Sequence, residues 1–232
     1  MSLVMATSVG GARLIFAADS KIRYRDPDDS VQSCVGSKVT VFPTRRGNLV
    51  IGFTGMWVEG GADDLLHGVI RGWAATDEPL SHLCDVLAED VAQRLTVLSV
   101  EADMPNLSEF LVGLFPTNSK PSLWFVSSGH SGPIADGIVR AIGGDPTYAF
   151  TQTYRPEPGV DPDARFVLRA FERALTQAPS EAYDYPVLLL ELSGASEHEV
   201  SRDYYGPGLD RVTAPAIQKQ SPRPFDASSP PS

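Results

Sequence analysis

Strand-like and helix-like segments come in blocks along this chain and do not alternate. Strand patterns fill residues 3–53, two amphipathic helix patterns follow, and strands, a helix and a strand complete the order. A doubly wound fold of alternating βαβ units is therefore excluded. The order instead predicts an α+β chain in which two sheets stack face to face with helices outside.

Each predicted strand is an apolar or alternating run bounded by turn residues. The first two strands flank the turn signal Gly10-Gly11, and the polar stretch with its tip at residues 25–29 is predicted to be a loop. The last strand is nearly all apolar, as expected for a strand that is buried on both faces. The predicted strands cover residues 3–9, 14–18, 38–42, 49–53, 109–115, 122–127, 137–142 and 186–192.

Three helices are predicted from apolar residues that recur at helical spacing. The first carries its apolar face from Leu65 to Trp73. The second begins at the N-cap Ser81 and continues to Leu98. The third begins near residues 161–162, an Asp-Pro pair suited to a cap and a first turn, and continues to Ala174.

The composition excludes several kinds of partner. The formal net charge is -10, whereas a nucleic-acid partner requires a basic patch, so nucleic-acid binding is disfavoured. No run of about 20 apolar residues and no signal-peptide pattern is present, so we expect no membrane partner and a cytoplasmic location. Cys34 and Cys84 are too few for a disulfide framework, and the histidines lack metal-ligand spacing. We expect neither a metal nor a cofactor.

The chain changes character after residue 205. Residues 213–232 hold five prolines and four serines and show no apolar period. We therefore predict one domain over residues 1–205 and a disordered Pro/Ser-rich tail over residues 206–232. No internal repeat is evident.

The strand patterns contain three short motifs. Residues 17–21 read AADSK at the end of an apolar run, residues 36–42 read GSKVTVF, and residues 52–55 read GFTG. In this order the motifs resemble the signature strand, the lysine-bearing strand and the glycine-containing strand end of proteasome β-type subunits. These subunits are N-terminal-nucleophile (Ntn) hydrolases, and the resemblance covers residues 2–192. It implies a four-layer αββα sandwich.

The resemblance also implies a set of catalytic residues. Ser2 falls on the nucleophile position once Met1 is removed, if the turn at residues 10–13 absorbs one extra residue. An N-terminal serine is a weak nucleophile until its own α-amine, with an ordinary pKa of about 7.7–8.0, accepts the hydroxyl proton. Lys38 matches the lysine that tunes this amine, and Asp19 matches the aspartate that holds the lysine. The Gly55 N–H matches the oxyanion-hole donor.

Two further residues match supporting positions with changes. Residues 180–184 read SEAYD where the family has Arg-Asp-Ala-Tyr-Ser. Glu181 then replaces an aspartate that orients the N-terminus, and Asp184 replaces a serine. The supporting serine that the family has near residues 143–145 is missing, and Asp145 is the nearest polar substitute.

The implied function is hydrolysis of peptide or other amide bonds in a peptide or protein substrate. The resemblance further implies a homo-oligomer, a ring or closed assembly, with a partner ATPase as a candidate to feed it. Two alternatives stay open: a non-catalytic assembly subunit, and a small-molecule amidase that acts alone. Simpler interpretations also stay open for single residues. Ser2 fits an ordinary small residue after the initiator methionine, Lys38 fits a solvated strand lysine, and Asp19 fits a turn cap.

Overall fold

Two large antiparallel sheets, a separate β-hairpin and three α-helices make up most of the part of the chain that the computed structural model describes. Mostly apolar runs that are buried on both faces form the central strands, and the amphipathic segments form the helices. The described residues are 3–25, 31–55, 62–95, 97, 108–143, 153–157, 159–177, 185–193 and 199–215.

The larger sheet has seven strands, and its centre is the hairpin formed by the first two strands of the chain. In spatial order it contains β11 (Thr153–Tyr154), β10 (Val139–Gly143), β1 (Leu3–Val9), β2 (Arg13–Asp19), β12 (Val187–Ser193), β13 (Glu199–Tyr205) and β14 (Arg211–Val212). Each pair of neighbouring strands within it is antiparallel, including β1 with both β10 and β2.

The smaller sheet has five strands in chain order. They are β5 (Val39–Thr44), β6 (Gly47–Thr54), β7 (Glu109–Pro116), β8 (Ser122–Ser127) and β9 (His130–Pro133). A separate hairpin pairs β3 (Lys21–Arg25) with β4 (Val31–Val35). The sequence predicted a loop here, and this hairpin corrects that prediction. The segment is polar and lacks the apolar pattern from which strands are predicted, although backbone pairing does not require that pattern.

The helices are α1 (Ala62–Ala74), α2 (Leu80–Val86) and α3 (Ala164–Gln177), with a π-helical turn at Leu87–Ala92 directly after α2. The predicted N-cap Ser81 is wrong, because Pro79 occupies the cap in an extended conformation and its carbonyl accepts the His82 N–H. The predicted start of α3 at residues 161–162 is also shifted. The Asp163 carboxylate accepts the Phe166 N–H at 2.6 Å, so Asp163 is the cap.

Strand alternation divides the apolar residues among three clusters. One cluster contains residues of both sheets, including Val4 and Phe16 from the larger sheet and Leu111 from the smaller one. A Cβ atom on Gly52 would lie 2.7 Å from the Val4 side chain, so the sheets approach closely at a position that only glycine tolerates. The second cluster joins β5–β8 to α1 and α2, and the third joins β1, β2, β10 and β12 to α3.

The α+β class with two antiparallel sheets is confirmed, and β1 has the predicted bounds. The strand predicted to be last is followed by β13 and β14, so the larger sheet continues past residue 205, where we expected the tail to begin. Residues 216–232 lie outside the described residues. Across the ranges given above, no helix is long and apolar enough to cross a membrane.

Candidate active site

A buried ion pair joins Lys38 to Asp19 where the strands of both sheets end. Asp19 is the last residue of β2, and Lys38 directly precedes β5. The Lys38 Nζ donates to Asp19 Oδ2, and the two side chains are 5% and 0% exposed. The Lys38 carbonyl accepts the Phe53 N–H at 2.9 Å, which fixes the lysine beside the end of β6. The interpretation of Lys38 as a solvated strand lysine is therefore wrong.

The Asp19 carboxylate also binds the backbone at the start of the chain. Its Oδ1 accepts the Leu3 N–H at 2.7 Å, and its Oδ2 accepts the Lys21 N–H at 3.3 Å. These bonds satisfy a carboxylate that has lost its contact with water. They also place the lysine and the first described residue of β1 on one carboxylate.

Burial lowers the pKa of Lys38 from its ordinary value, because the charged ammonium loses hydration. The Asp19 carboxylate acts in the opposite direction through its charge and its hydrogen bond, and the Lys21 charge adds to the lowering. The pKa of Lys38 is lowered overall, so this lysine releases its proton more readily than a solvated one. Such a group suits proton transfer.

Gly55 directly follows β6 at the same end of the sheets. Its φ of +133° lies in the region that favours glycine. A Cβ atom there would lie 2.8 Å from Ser108 Oγ and 3.0 Å from Ser108 Cα, so no larger residue fits without movement. The Ser108 and Thr54 hydroxyls are buried here, and neither has a hydrogen-bond partner in the described part of the chain.

Glu109 lies at the same end of the sheets as Gly55, and the sequence did not identify it as a site residue. It begins β7 and is only 7% exposed, and its Oε2 accepts the Gly143 N–H at 2.9 Å. Burial raises the pKa of Glu109, while the Gly143 N–H and the Arg140 charge oppose that shift. The available signal was a carboxylate at the first position of an otherwise apolar strand pattern.

Ser20 is a second residue that the sequence reasoning did not assign. Its hydroxyl donates to the Pro186 carbonyl at 2.5 Å, and Asp19 pairs with Val187 across the β2–β12 ladder. The chain that enters β12 therefore returns to the same end of the larger sheet.

Asp19 and Lys38 from the predicted site are in contact, and Gly55 directly follows β6 at the same end of the sheets. Ser2, Glu181 and Asp184 lie outside the described residues, as does Asp145. Their predicted roles stay predictions. Among the residues that are described, no three His, Cys, Asp or Glu side chains form a group that could hold a metal ion.

This chain resembles known proteins in its structure rather than in its sequence. No family model and no curated protein matches the sequence. A mutant of Anbu from Hyphomicrobium sp. strain MC1 has a TM-score of 0.59 and 15% identity, over 87% of this chain and 87% of that one. Anbu from Yersinia bercovieri, an ancestral β-subunit, has a TM-score of 0.54 and 13% identity over 86% of each chain. This chain has the Anbu fold.

A further Anbu structure from the Hyphomicrobium strain agrees, with a TM-score of 0.55 and 15% identity over 86% of each chain. The Yersinia bercovieri protein is an ancestral β-subunit, so the predicted resemblance to β-type subunits is confirmed at the level of the fold. At these identities the likeness to Anbu concerns the fold alone.

Proposed function

We propose that this chain is an N-terminal-nucleophile hydrolase that cleaves peptide or other amide bonds, with Ser2 as the nucleophile after Met1 removal. The observation that carries the proposal is the Asp19 carboxylate, which binds both the Lys38 ammonium and the Leu3 N–H. Ser2 is joined to Leu3 by a peptide bond. The lysine is therefore held close to the residue that would act.

The first chemical step is acyl transfer to the N-terminal serine. The Ser2 Oγ attacks the carbonyl carbon of the substrate amide while the α-amine of Ser2 accepts the hydroxyl proton. The carbonyl oxygen becomes an oxyanion, to which the Gly55 N–H donates. The C–N bond then breaks, the leaving amine takes the proton, and the acyl group remains as an ester on Ser2. Water hydrolyses that ester and restores the hydroxyl.

Lys38 prepares the α-amine for this step. A lysine ammonium near a second amine lowers the pKa of that amine by like-charge repulsion, so a larger fraction is free to accept a proton. Asp19 keeps the lysine in place, since its carboxylate is fixed by backbone N–H groups as well as by the ammonium. Glu181, which would orient the N-terminus, and Asp184, which stands in place of a supporting serine, complete the proposal.

The proposal includes a four-layer αββα arrangement and a ring or closed homo-oligomer. The layer order is supported by the helix-facing and sheet-facing clusters, which fall on opposite faces of each sheet. The assembly is supported by the likeness to Anbu β-subunits. A partner ATPase that feeds protein substrates to an inner chamber belongs to the same proposal.

Intact-mass measurement of the native protein with and without a β-lactone tests the nucleophile. We expect loss of Met1 and addition of one acyl group, because a β-lactone acylates an activated N-terminal hydroxyl. Ser2→Ala is the matched control and should take up no acyl group. Retained Met1, or a free Ser2 that stays unmodified, would rule out the hydrolase and leave a non-catalytic assembly subunit. Native mass on the same sample then separates a closed assembly from a lone amidase.

A further inference from the structure

Glu109 reaches from one sheet to the other. Along β7 it shares a face with Leu111 and Phe115, which belong to the cluster between the sheets. Its carboxylate accepts the N–H of Gly143, the last residue of β10 in the larger sheet. A side chain of the smaller sheet therefore holds the backbone of the larger one.

Gly143 is the register partner of Leu3, the first residue of β1. The Leu3 N–H donates to Asp19 and the Gly143 N–H donates to Glu109. Two buried carboxylates, each from outside this pair of strands, therefore accept the two backbone N–H groups at this register pair. The position of each strand end then depends on a side chain from outside the β1–β10 ladder.

Glu109 also lies next to residues at the end of β6, which Gly55 directly follows. Thr54 is its register partner across the β6–β7 ladder, and Ser108 precedes it and packs against Gly55. The Thr54 and Ser108 hydroxyls are 2% and 1% exposed and have no hydrogen-bond partner among the described residues. On the side of the larger sheet, the Arg140 guanidinium lies 4.6 Å from the centre of the Phe125 ring. Its positive charge opposes the rise in the pKa of Glu109 that burial causes.

We propose that Glu109 is a positioning residue for the N-terminal nucleophile: by holding Gly143 beside Leu3, it fixes the residue that precedes Leu3 relative to Lys38 and Gly55. This inference rests on the proposed function. Glu109 acts through the backbone and touches no substrate. Misplacement of a nucleophile by about 1 Å costs roughly 100-fold in rate, so a lost anchor at this pair is measurable.

The test measures β-lactone acylation of Ser2 in the full-length assembly, separating the limiting rate constant from the apparent affinity. Glu109→Ala should lower the limiting rate constant about 10- to 100-fold and change the apparent affinity by less than about threefold. Glu109→Gln should stay within about threefold of the unmodified protein, because its amide oxygen still accepts the Gly143 N–H. Glu191→Ala removes a carboxylate at the opposite end of β12 and should leave the rate unchanged.

Hydrogen exchange provides a readout that is independent of activity. Mass spectrometry with fragmentation should show faster exchange of the Gly143 and Leu3 amides in Glu109→Ala, and no change in Glu109→Gln or Glu191→Ala. If Glu109→Ala does not fold, Glu109→Asp replaces it, since the shorter side chain withdraws the carboxylate from Gly143.

Three results would overturn the inference: unchanged exchange at Gly143, an unchanged rate in folded Glu109→Ala, or an equal loss of rate in Glu191→Ala. If the unmodified protein is never acylated, the proposed function fails separately. Exchange then decides alone whether Glu109 holds the start of β1: faster exchange at Leu3 supports that role, and unchanged exchange rejects it.

Discussion

The two ends of the stacked sheets differ in how far their ion pairs are exposed to water. At the turn end, where the β1–β2 and β5–β6 hairpins turn, the Arg45–Asp77 pair is 2.8 Å long and its side chains are 54% and 98% exposed. At the site end, the Lys38–Asp19 pair is 5% and 0% exposed. The difference separates charges that remain hydrated from charges that the fold has removed from water.

That difference bears on function because burial of an ion pair is a poor way to gain stability. Desolvation of two charges commonly exceeds their attraction, and apolar residues of similar volume are often at least as stabilising. An exposed pair costs little and contributes little. The buried pair at the site end, together with the buried Glu109 carboxylate, is therefore better explained by chemistry at the start of β1 than by stability.

Removal of Lys38 should have the largest effect. Lys38→Met keeps the length of the side chain but leaves the Asp19 carboxylate buried without its cation, which costs about 3–5 kcal/mol of the free energy of unfolding. The same change removes the group that tunes the α-amine, so acylation of Ser2 should fall roughly 10²- to 10⁴-fold. Urea unfolding at one protein concentration and the β-lactone assay measure the two effects.

The matched control is Asp77→Ala at the turn end. It breaks an ion pair of the same kind in an exposed setting, so neither the unfolding midpoint nor the acylation rate should change measurably. Equal destabilisation by Lys38→Met and Asp77→Ala would contradict the contrast between the two ends.

Glycine substitution should give the second-largest effect and separates strain from crowding. Gly55→Ala places a Cβ atom 2.8 Å from Ser108 Oγ at a φ of +133°, which should cost about 1–3 kcal/mol. A displaced Gly55 N–H should also slow acylation, roughly 100-fold for a shift of about 1 Å.

Gly10 at the turn end provides the comparison for Gly55. It also has a positive φ, +59°, but a Cβ atom there would approach nothing more closely than Asp161 Oδ2 at 3.8 Å. Gly10→Ala should therefore cost about 1 kcal/mol from backbone strain and leave the acylation rate unchanged. A slower rate in Gly10→Ala would show that general destabilisation, rather than crowding beside Ser108, controls the reaction.

The same two ends show what sequence can and cannot reveal. Asp19 and Lys38 lie in short local motifs that resemble those of proteasome β-type subunits, so the resemblance implied their pairing before the fold was known. The Glu109–Gly143 bond could not, because it joins residues 34 positions apart on different sheets. A lone acidic residue at a strand start gives no sign of the backbone that will approach it.

Secondary structure follows the same division between local and distant causes. The short mixed run before the Gly10-Gly11 turn predicted β1 with the observed bounds, whereas the polar β3–β4 hairpin was predicted as a loop. The caps show how fine the local competition is. Pro79 rather than Ser81 is the first cap, because a proline has no backbone N–H to leave unsatisfied at a helix start. Asp163 rather than Asp161 is the other cap, because its carboxylate accepts the Phe166 N–H.

The smallest expected effect concerns the pH dependence of stability at the site end. Burial raises the pKa of Glu109, so the folded state binds a proton that the unfolded state has already released. The free energy of unfolding should therefore fall as pH rises from the ordinary glutamate pKa, about 4.3, through the raised pKa of Glu109. The effect is modest because the Gly143 N–H and the Arg140 charge oppose the cost of burial.

Glu109→Gln has no proton to bind, so it should lack this decrease and gain stability relative to the unmodified protein as pH rises. Urea midpoints measured between about pH 4 and pH 8 follow the difference, and Glu191→Gln corrects for the loss of one carboxylate at the turn end. Parallel curves for the unmodified protein and Glu109→Gln would show that the Glu109 carboxylate is ionised at no cost. The contrast between the two ends would then reduce to the Lys38–Asp19 pair.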